Sequence, residues 1–144
     1  MLSLPDCRQR DDWSCGQTAA RVVFQFHGFR GRSPQGSPID GTDPRSLETA
    51  FLAAGLLVQS GEMTPADLRH HTRLGRPVVC LVTEPDGVGH YVVVGGLLRG
   101  RVRYHCPTVG ASSEPVAAFD ARWHDSDRVA VRYTRWGIAV WPPA

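Results

Sequence analysis

A thiol, an imidazole and a primary amide occur in this sequence at positions where together they could hydrolyse an acyl bond. Cys15 is followed by Gly16 at the start of an apolar segment with helical spacing, and Gln9 lies six residues before it. His90 follows Gly89 at the start of a β-branched run. In such a set the thiolate attacks a carbonyl, the imidazole holds the proton, and the amide donates to the developing oxyanion.

The local context of Cys15 favours a reactive thiolate. Ser14 can cap a helix that begins at Cys15, where unpaired N–H groups and the helix dipole stabilise a negative charge. An imidazolium at His90 could then pair with the thiolate. Gly16 would leave room for a substrate and for the backbone N–H of Cys15, which would share the oxyanion with the Gln9 amide.

Three further residues are candidates for contacting the substrate. Gly16 and Gly89 flank the proposed nucleophile and base, and Trp13 lies two residues before Cys15, where it would border the cleft. A lone Cys, His or Gln is more often a packed or exposed residue with no catalytic role. The ordered set is therefore what favours the catalytic interpretation.

The remaining cysteines and histidines do not predict a metal centre or a cofactor. The four cysteines form no C-x-x-C pair, which argues against a zinc knuckle or a thioredoxin-type site. Cys80 lies in an apolar run and is predicted to be a core residue. His70 and His71 are adjacent on a predicted helix, so their side chains diverge and are expected on a solvated face.

Length and composition limit the classes of protein to consider. The 144 residues suit one domain over 1–144, and 42% hydrophobic with 21% charged residues is typical of a globular chain. All 16 basic residues are Arg, but the net charge is only +2 and acidic residues are interspersed, so no nucleic-acid partner is predicted. No apolar run approaches the ~20 residues of a membrane span, and the N-terminus lacks a signal-peptide pattern. We therefore expect a cytoplasmic protein without a membrane partner.

The pattern of capping residues and hydrophobic spacing predicts helices in the first half of the chain. Proline after Asp43 and after Thr64 marks two helix starts, because proline is favoured at the first helical position. Glycines mark the ends. The predicted helices run over 15–27, from 44 to about 54, and from 65 to about 74, with a loop over 28–42.

Strands are predicted mainly in the second half. Arg76–Val82 is apolar and β-branched, which is typical of a central strand, whereas Arg101–Cys106 alternates and should be half-buried. Other predicted features are a short buried strand at Leu56–Val58, strands at Gly89–Val94, Val129–Val131 and Trp136–Trp141, a hairpin turn over 95–100, and a helical turn or two within Pro115–Trp123. Helices followed by antiparallel strands indicate the α+β class.

The sequence resembles the C39 family of papain-like cysteine peptidases. The segments that carry the resemblance are Gln9 to Ala20, Gly41 to Pro44, Gly75 to Val79, Gly89 to Val94 and Phe119 to Trp123. The resemblance implies a papain-like fold with N-terminal helices packed on a C-terminal antiparallel β-sheet. It also implies that Cys15 is the nucleophile, His90 the base and Gln9 the oxyanion donor, acting on a peptide or isopeptide bond of a peptide or protein substrate. No cofactor is implied, and nothing in the sequence resembles the transporter to which well-known members are fused.

One position departs from the family pattern. The strand after the histidine usually ends in Asp-Pro, and that Asp orients the imidazole; here the pair is Cys106-Pro107. A neutral thiol is a poor hydrogen-bond acceptor and brings no charge to the histidine.

Four alternatives therefore stay open for the third triad position. The enzyme could work as a Cys–His dyad with a weaker orienting group, or another carboxylate, such as Asp86 or Asp120, could reach His90. Cys106 could instead be a thiolate, a redox partner or a metal ligand. The site could also be inactive, with the fold kept as a binding or regulatory domain. An acyltransferase using the same Cys15 is a further possibility, because an amine can intercept the acyl-enzyme in place of water.

Overall fold

The computed structural model describes residues 1–38, 41–126 and 132–144. The helices are α1 (Cys15–His27), α2 (Pro44–Ala53), α3 (Pro65–Arg73) and α4 (Val116–Arg122). The strands are β1 (Leu57–Glu62), β2 (Val78–Thr83), β3 (Gly89–Leu98), β4 (Arg101–Cys106), β5 (Gly110–Pro115), β6 (His124–Ser126), β7 (Arg132–Thr134) and β8 (Trp136–Trp141). The predicted strand at Val129–Val131 lies outside the described residues.

The main sheet has six antiparallel strands in the order β1-β8-β2-β3-β4-β5. The predicted central strand is confirmed, because β2 lies between β8 and β3 and all of its residues from Val78 to Val82 are buried. The short strands β6 and β7 pair with each other in a second sheet. The α+β class with helices packed on an antiparallel sheet is likewise confirmed.

Helices cover both faces of the sheet, so alternate residues of the central strands enter two different clusters. Val79 and Tyr91 pack with the apolar residues of α1 and α2 on one face. Val78 and Val92 pack on the other face with α3 and with Phe119 of α4. This explains why the central strands are apolar throughout rather than alternating.

The helix starts follow local side-chain chemistry, with one exception. Asp43 accepts a hydrogen bond from the backbone N–H of Arg45, and Thr64 forms a reciprocal capping box with Asp67, so both predicted caps are confirmed. Ser14 makes no side-chain cap, and that prediction is wrong. Instead, Asp11 Oδ1 accepts the backbone N–H of Ser14 at 3.0 Å, which fixes the chain just before α1.

Two strand predictions need correction. Within the described residues, the strand after Leu56 is an edge strand paired with β8, and its residues are exposed or half-buried instead of buried. The segment 95–100 is mostly strand, since β3 continues to Leu98 through an irregularity in its register near Gly95, and only Arg99 and Gly100 form the turn.

The pair His70 and His71 was only half correctly predicted. Their rings meet edge to face with centroids 5.4 Å apart, so the prediction that the side chains diverge is wrong. His70 is exposed as predicted, but His71 is only 3% exposed and stacks on Trp141. Burial, assisted by the nearby Arg76 guanidinium, lowers the pKa of His71. Cys80 is fully buried, as predicted for a core residue. None of the helices in the described part of the chain has the length and apolarity required to cross a bilayer.

Candidate active site

Three elements bring two sulfurs to one imidazole. Cys15 is the first residue of α1, His90 is the second residue of β3, and Cys106 is the last residue of β4. Cys106 Sγ lies 3.4 Å from His90 Nε2, and Cys15 lies near enough to the same imidazole to help raise its pKa. Because Val93 of β3 pairs with His105, the antiparallel register places the end of β4 beside the start of β3.

The charge states of His90 and Cys106 are coupled. Burial by itself would lower the pKa of His90, but the neighbouring Cys106 and Cys15 sulfurs outweigh it and raise the pKa to about 10. Burial would raise the pKa of the Cys106 thiol, yet the hydrogen bond from His90 and the backbone N–H groups of Val109 and Thr108 lower it to about 7. At neutral pH the pair therefore consists of an imidazolium beside a sulfur that is substantially ionised.

A carboxylate lies just beyond the two sulfurs. Glu84 Oε1 is 4.0 Å from His90 Nε2 and 3.8 Å from Arg122 Nη1. Arg122 in turn donates from Nε to Glu114 Oε1 at 2.9 Å and from Nη2 to the Tyr104 hydroxyl at 3.1 Å. His90 thus lies at the end of a chain of ion pairs that runs through Glu84 and Arg122 to Glu114.

Gln9 is held against the loop that contains Asp11 and against the end of β4. Its Nε2 donates to the carbonyl of Asp11 at 2.6 Å, its Oε1 is buried without a hydrogen-bond partner, and its backbone N–H donates to Pro107 O at 2.9 Å. Trp13 is half-buried at a bend in the same loop, and its backbone N–H donates to Asp11 Oδ1 at 3.4 Å. The loop is therefore joined through Gln9 to the segment that follows Cys106.

The two glycines have packing roles that the sequence analysis did not predict. Gly16 is buried, and a Cβ added to it would lie 2.6 Å from Cβ of Thr42. The space beside Gly16 is therefore filled by the Thr42 side chain and is not open to a substrate. A Cβ on Gly89 would lie 2.6 Å from Cγ of Asp125. Gly89 is thus required for the close approach of β6 to the start of β3.

The fold is shared with solved peptidase domains. A double-glycine-motif protease from an AMS/PCAT transporter, solved with its leader peptide, superposes with a TM-score of 0.70 at 16% identity, covering 99% of this chain and 94% of that one. The peptidase domain of Streptococcus ComA, a bifunctional ABC transporter of a quorum-sensing pathway, gives 0.75 at 18% identity, covering 99% and 100%. The Streptococcus mutans ComA peptidase domain with a small-molecule inhibitor gives 0.70 at 17% identity, covering 94% and 98%. The chain has the C39 peptidase fold. Neither a protein-family model nor a curated protein matches the sequence.

Within this C39 fold, the carboxylates proposed as substitutes for the missing Asp are engaged elsewhere. Asp120 accepts a hydrogen bond from Nε of Arg135 at 2.6 Å, and Asp86 is exposed in the β2–β3 turn, where it accepts the backbone N–H of Val88. Glu84, in contrast to Asp86 and Asp120, has a carboxylate oxygen 4.0 Å from His90 Nε2. Among residues 1–38, 41–126 and 132–144, no three His, Cys, Asp or Glu side chains are grouped so as to hold a metal ion.

Sequence reasoning missed Glu84 and Arg122. Glu84 could have been found from the sequence, because it directly follows a predicted central strand and His90 lies at the start of the next one. In a hairpin of two antiparallel strands, the end of the first strand lies beside the start of the second. For Arg122 there was no signal, because its position depends on how α4 packs over β4 and β5.

Proposed function

We propose that this protein is a cysteine peptidase that cleaves peptide or isopeptide bonds through Cys15 and His90. The observation that carries the proposal is the 3.4 Å approach of Cys106 Sγ to His90 Nε2 within a C39 peptidase fold, with Cys15 at the start of α1 near enough to raise the pKa of the same imidazole. A nucleophile, a base and an orienting group in this order are the parts that thiol-based acyl transfer requires.

In this mechanism the Cys15 thiolate attacks the scissile carbonyl, and the carbonyl electron pair moves to oxygen. The backbone N–H of Cys15 and one N–H of the Gln9 amide stabilise the oxyanion; the other Gln9 N–H stays with the Asp11 carbonyl. When the intermediate collapses, the C–N bond breaks and the His90 imidazolium gives its proton to the leaving amine. Water then attacks the acyl-enzyme, with neutral His90 taking its proton, and the thiolate is released.

A peptide segment is the proposed substrate. The support is the double-glycine-motif protease, whose structure contains a leader peptide bound to the same fold. We also place the protein in the cytoplasm, since its four cysteines are free thiols and thiols persist in a reducing compartment.

The test is cleavage of a mixture of peptides, followed by mass spectrometry of the new termini. Cleavages made by the wild-type protein should disappear in Cys15→Ala and persist in Cys7→Ala, which removes a thiol of the same chain that is placed outside the catalytic set. Iodoacetamide should label Cys15 stoichiometrically before the buried Cys80. Absence of cleavage together with a Cys15 that is no more reactive than Cys80 would overturn the proposal.

A second candidate is a peptide-binding or regulatory domain without turnover. It is favoured by Cys106, which stands where the C39 family usually has the acid that orients the histidine. In that case Cys15→Ala would retain peptide binding and the cellular role, and no cleaved product would form. Acyl transfer would instead be recognised by peptides joined to an added amine.

A further inference from the structure

Glu84 is fixed at the mouth of the β2–β3 hairpin, next to the catalytic imidazole. It is the first residue after β2, and its backbone N–H donates to Val88 O at 2.9 Å while its carbonyl accepts from Gly87 N at 2.8 Å. These two hydrogen bonds close the turn and fix the backbone of Glu84, which orients its Cα–Cβ bond. The carboxylate then reaches to 4.0 Å from His90 Nε2, which is ion-pair distance rather than a direct hydrogen bond.

Arg122 holds the carboxylate from the other side. Its Nη1 is buried without a hydrogen-bond partner and lies 3.8 Å from the same Glu84 oxygen. The rest of the guanidinium is fixed by Glu114 and by the Tyr104 hydroxyl. His90, Glu84, Arg122 and Glu114 therefore form a row of alternating charges, which leaves Glu84 with a net attraction for the imidazolium.

The other groups near His90 come from three elements. Cys15 approaches the ring from α1, Cys106 approaches it from β4, and Asp125 of β6 lies against the Gly89 backbone. Cys106 loses its charge as the pH falls through about 7.

We propose that Glu84 is a positioning residue whose carboxylate faces the His90 imidazolium beside the third triad position and helps to keep that ring protonated. This inference rests on the proposed role of His90 as the proton carrier. Glu84 acts through the imidazole and does not touch the substrate, and Arg122 with Glu114 keeps its carboxylate at the ring.

The test is an NMR titration of the His90 imidazole in the full chain. Glu84→Gln removes the charge and keeps the shape, and because 35% of the Glu84 side chain is exposed, solvent screens part of the effect. We expect the His90 pKa to fall by about one unit, a tenfold change in the protonation equilibrium. Asp86→Asn, which removes a charge from the exposed part of the same turn, should leave the pKa unchanged.

Glu84→Asp serves as the second variant, since it retains the charge and tests whether the effect is electrostatic. The His90 pKa should stay closer to the wild-type value than in Glu84→Gln. Equal pKa values in wild type and Glu84→Gln, or an equal fall in both Glu84 variants, would overturn the inference. The titration needs no substrate, so its outcome is independent of whether Cys15→Ala abolishes cleavage.

Discussion

Cys106 Sγ lies 3.4 Å from His90 Nε2, and the two groups change their proton affinities in opposite directions. The pKa of His90 is raised from 6.5 to about 10, whereas that of Cys106 is lowered from 9.0 to about 7. Both charges are therefore present between about pH 7 and pH 10. In this interval the sulfur can do what a carboxylate does in an Asp-containing triad, and below it the sulfur is a weak, neutral acceptor.

The first prediction concerns stability against pH. The lowered Cys106 pKa stabilises the folded state fully above pH 9.0 and loses its contribution as the pH falls through about 7. The raised His90 pKa stabilises the fold fully below pH 6.5 and loses its contribution as the pH rises through about 10. Cys106→Ser should therefore lower the free energy of unfolding, measured by urea denaturation, by about 1 kcal/mol more near pH 8.5 than near pH 6. Cys7→Ser is the control, and equal costs of Cys106→Ser at both pH values would contradict the ion pair.

The second prediction is a gain of function at low pH. Cys106→Asp places a carboxylate, ionised at neutral pH, on His90 Nε2, so cleavage of any peptide found to be a substrate should rise at pH 6. Removing the acidic orienting group from such a triad lowers the catalytic rate by orders of magnitude. We expect a smaller increase here, about tenfold in kcat/KM, because Glu84 already supplies part of the negative charge. The gain should shrink near pH 8.5, where the wild-type sulfur is ionised. If the variant is slower than wild type at both pH values, the Cys106 sulfur orients His90 better than a carboxylate does at this position.

The third prediction tests the contact between α1 and the chain before α2. Gly16→Ala would place a methyl group 2.6 Å from Cβ of Thr42, so the start of α1 must move. Overpacking of this kind typically costs about 1–3 kcal/mol, measurable as a lower midpoint in urea. Since Cys15 is adjacent, its alkylation rate should change as well. Thr42→Gly in the same chain removes the clash and should recover part of both losses; if it recovers neither, the contact is not their cause.

The fourth prediction uses the buried His71. Its pKa is lowered by burial, so the unfolded chain binds a proton more readily than the folded chain, and stability falls as the pH drops below 6.5. His71→Gln cannot titrate and should lose less stability between pH 7 and pH 5 than the wild type does. The adjacent His70→Gln removes a neighbour that helps to lower the His71 pKa, so its curve should lie between those of the wild type and His71→Gln. Identical curves for all three proteins would show that His71 does not contribute to acid sensitivity.

The parts of the fold set by local chemistry were predictable from the sequence. Cap-and-proline pairs located α2 and α3, and the β-branched runs located the two central strands, because these signals act within a few residues. The polar strand β5 and the short pair β6 and β7 carry no such periodicity, and they form because neighbouring strands offer them backbone partners. The burial of His71 was also missed, since it depends on Trp141, which is remote in sequence.

The site was predictable as a set of residue types but not as an electrostatic arrangement. Cys15, His90 and Cys106 could be named as candidates from the sequence, and the pairing of β3 with β4 brings Cys106 to 3.4 Å from His90. The charge beside His90 could not be assigned, because the choice among Asp86, Asp120 and Glu84 depends on side-chain directions in a turn and a helix end. Ion pairs with Arg135 and Arg122 decide which carboxylate is engaged elsewhere and which one faces the ring.

The position of β8 has a consequence for how the protein is made. β8 lies between β1 and β2, so two strands formed early in the chain meet only through one translated much later. During synthesis the ribosome must release residues 136–141 before the sheet can close, and until then β1 and β2 each present an unpaired edge to solvent. Any intermediate in which β1 and β2 form before β8 joins them therefore carries exposed strand edges, and this is the form of the chain most prone to edge-to-edge aggregation.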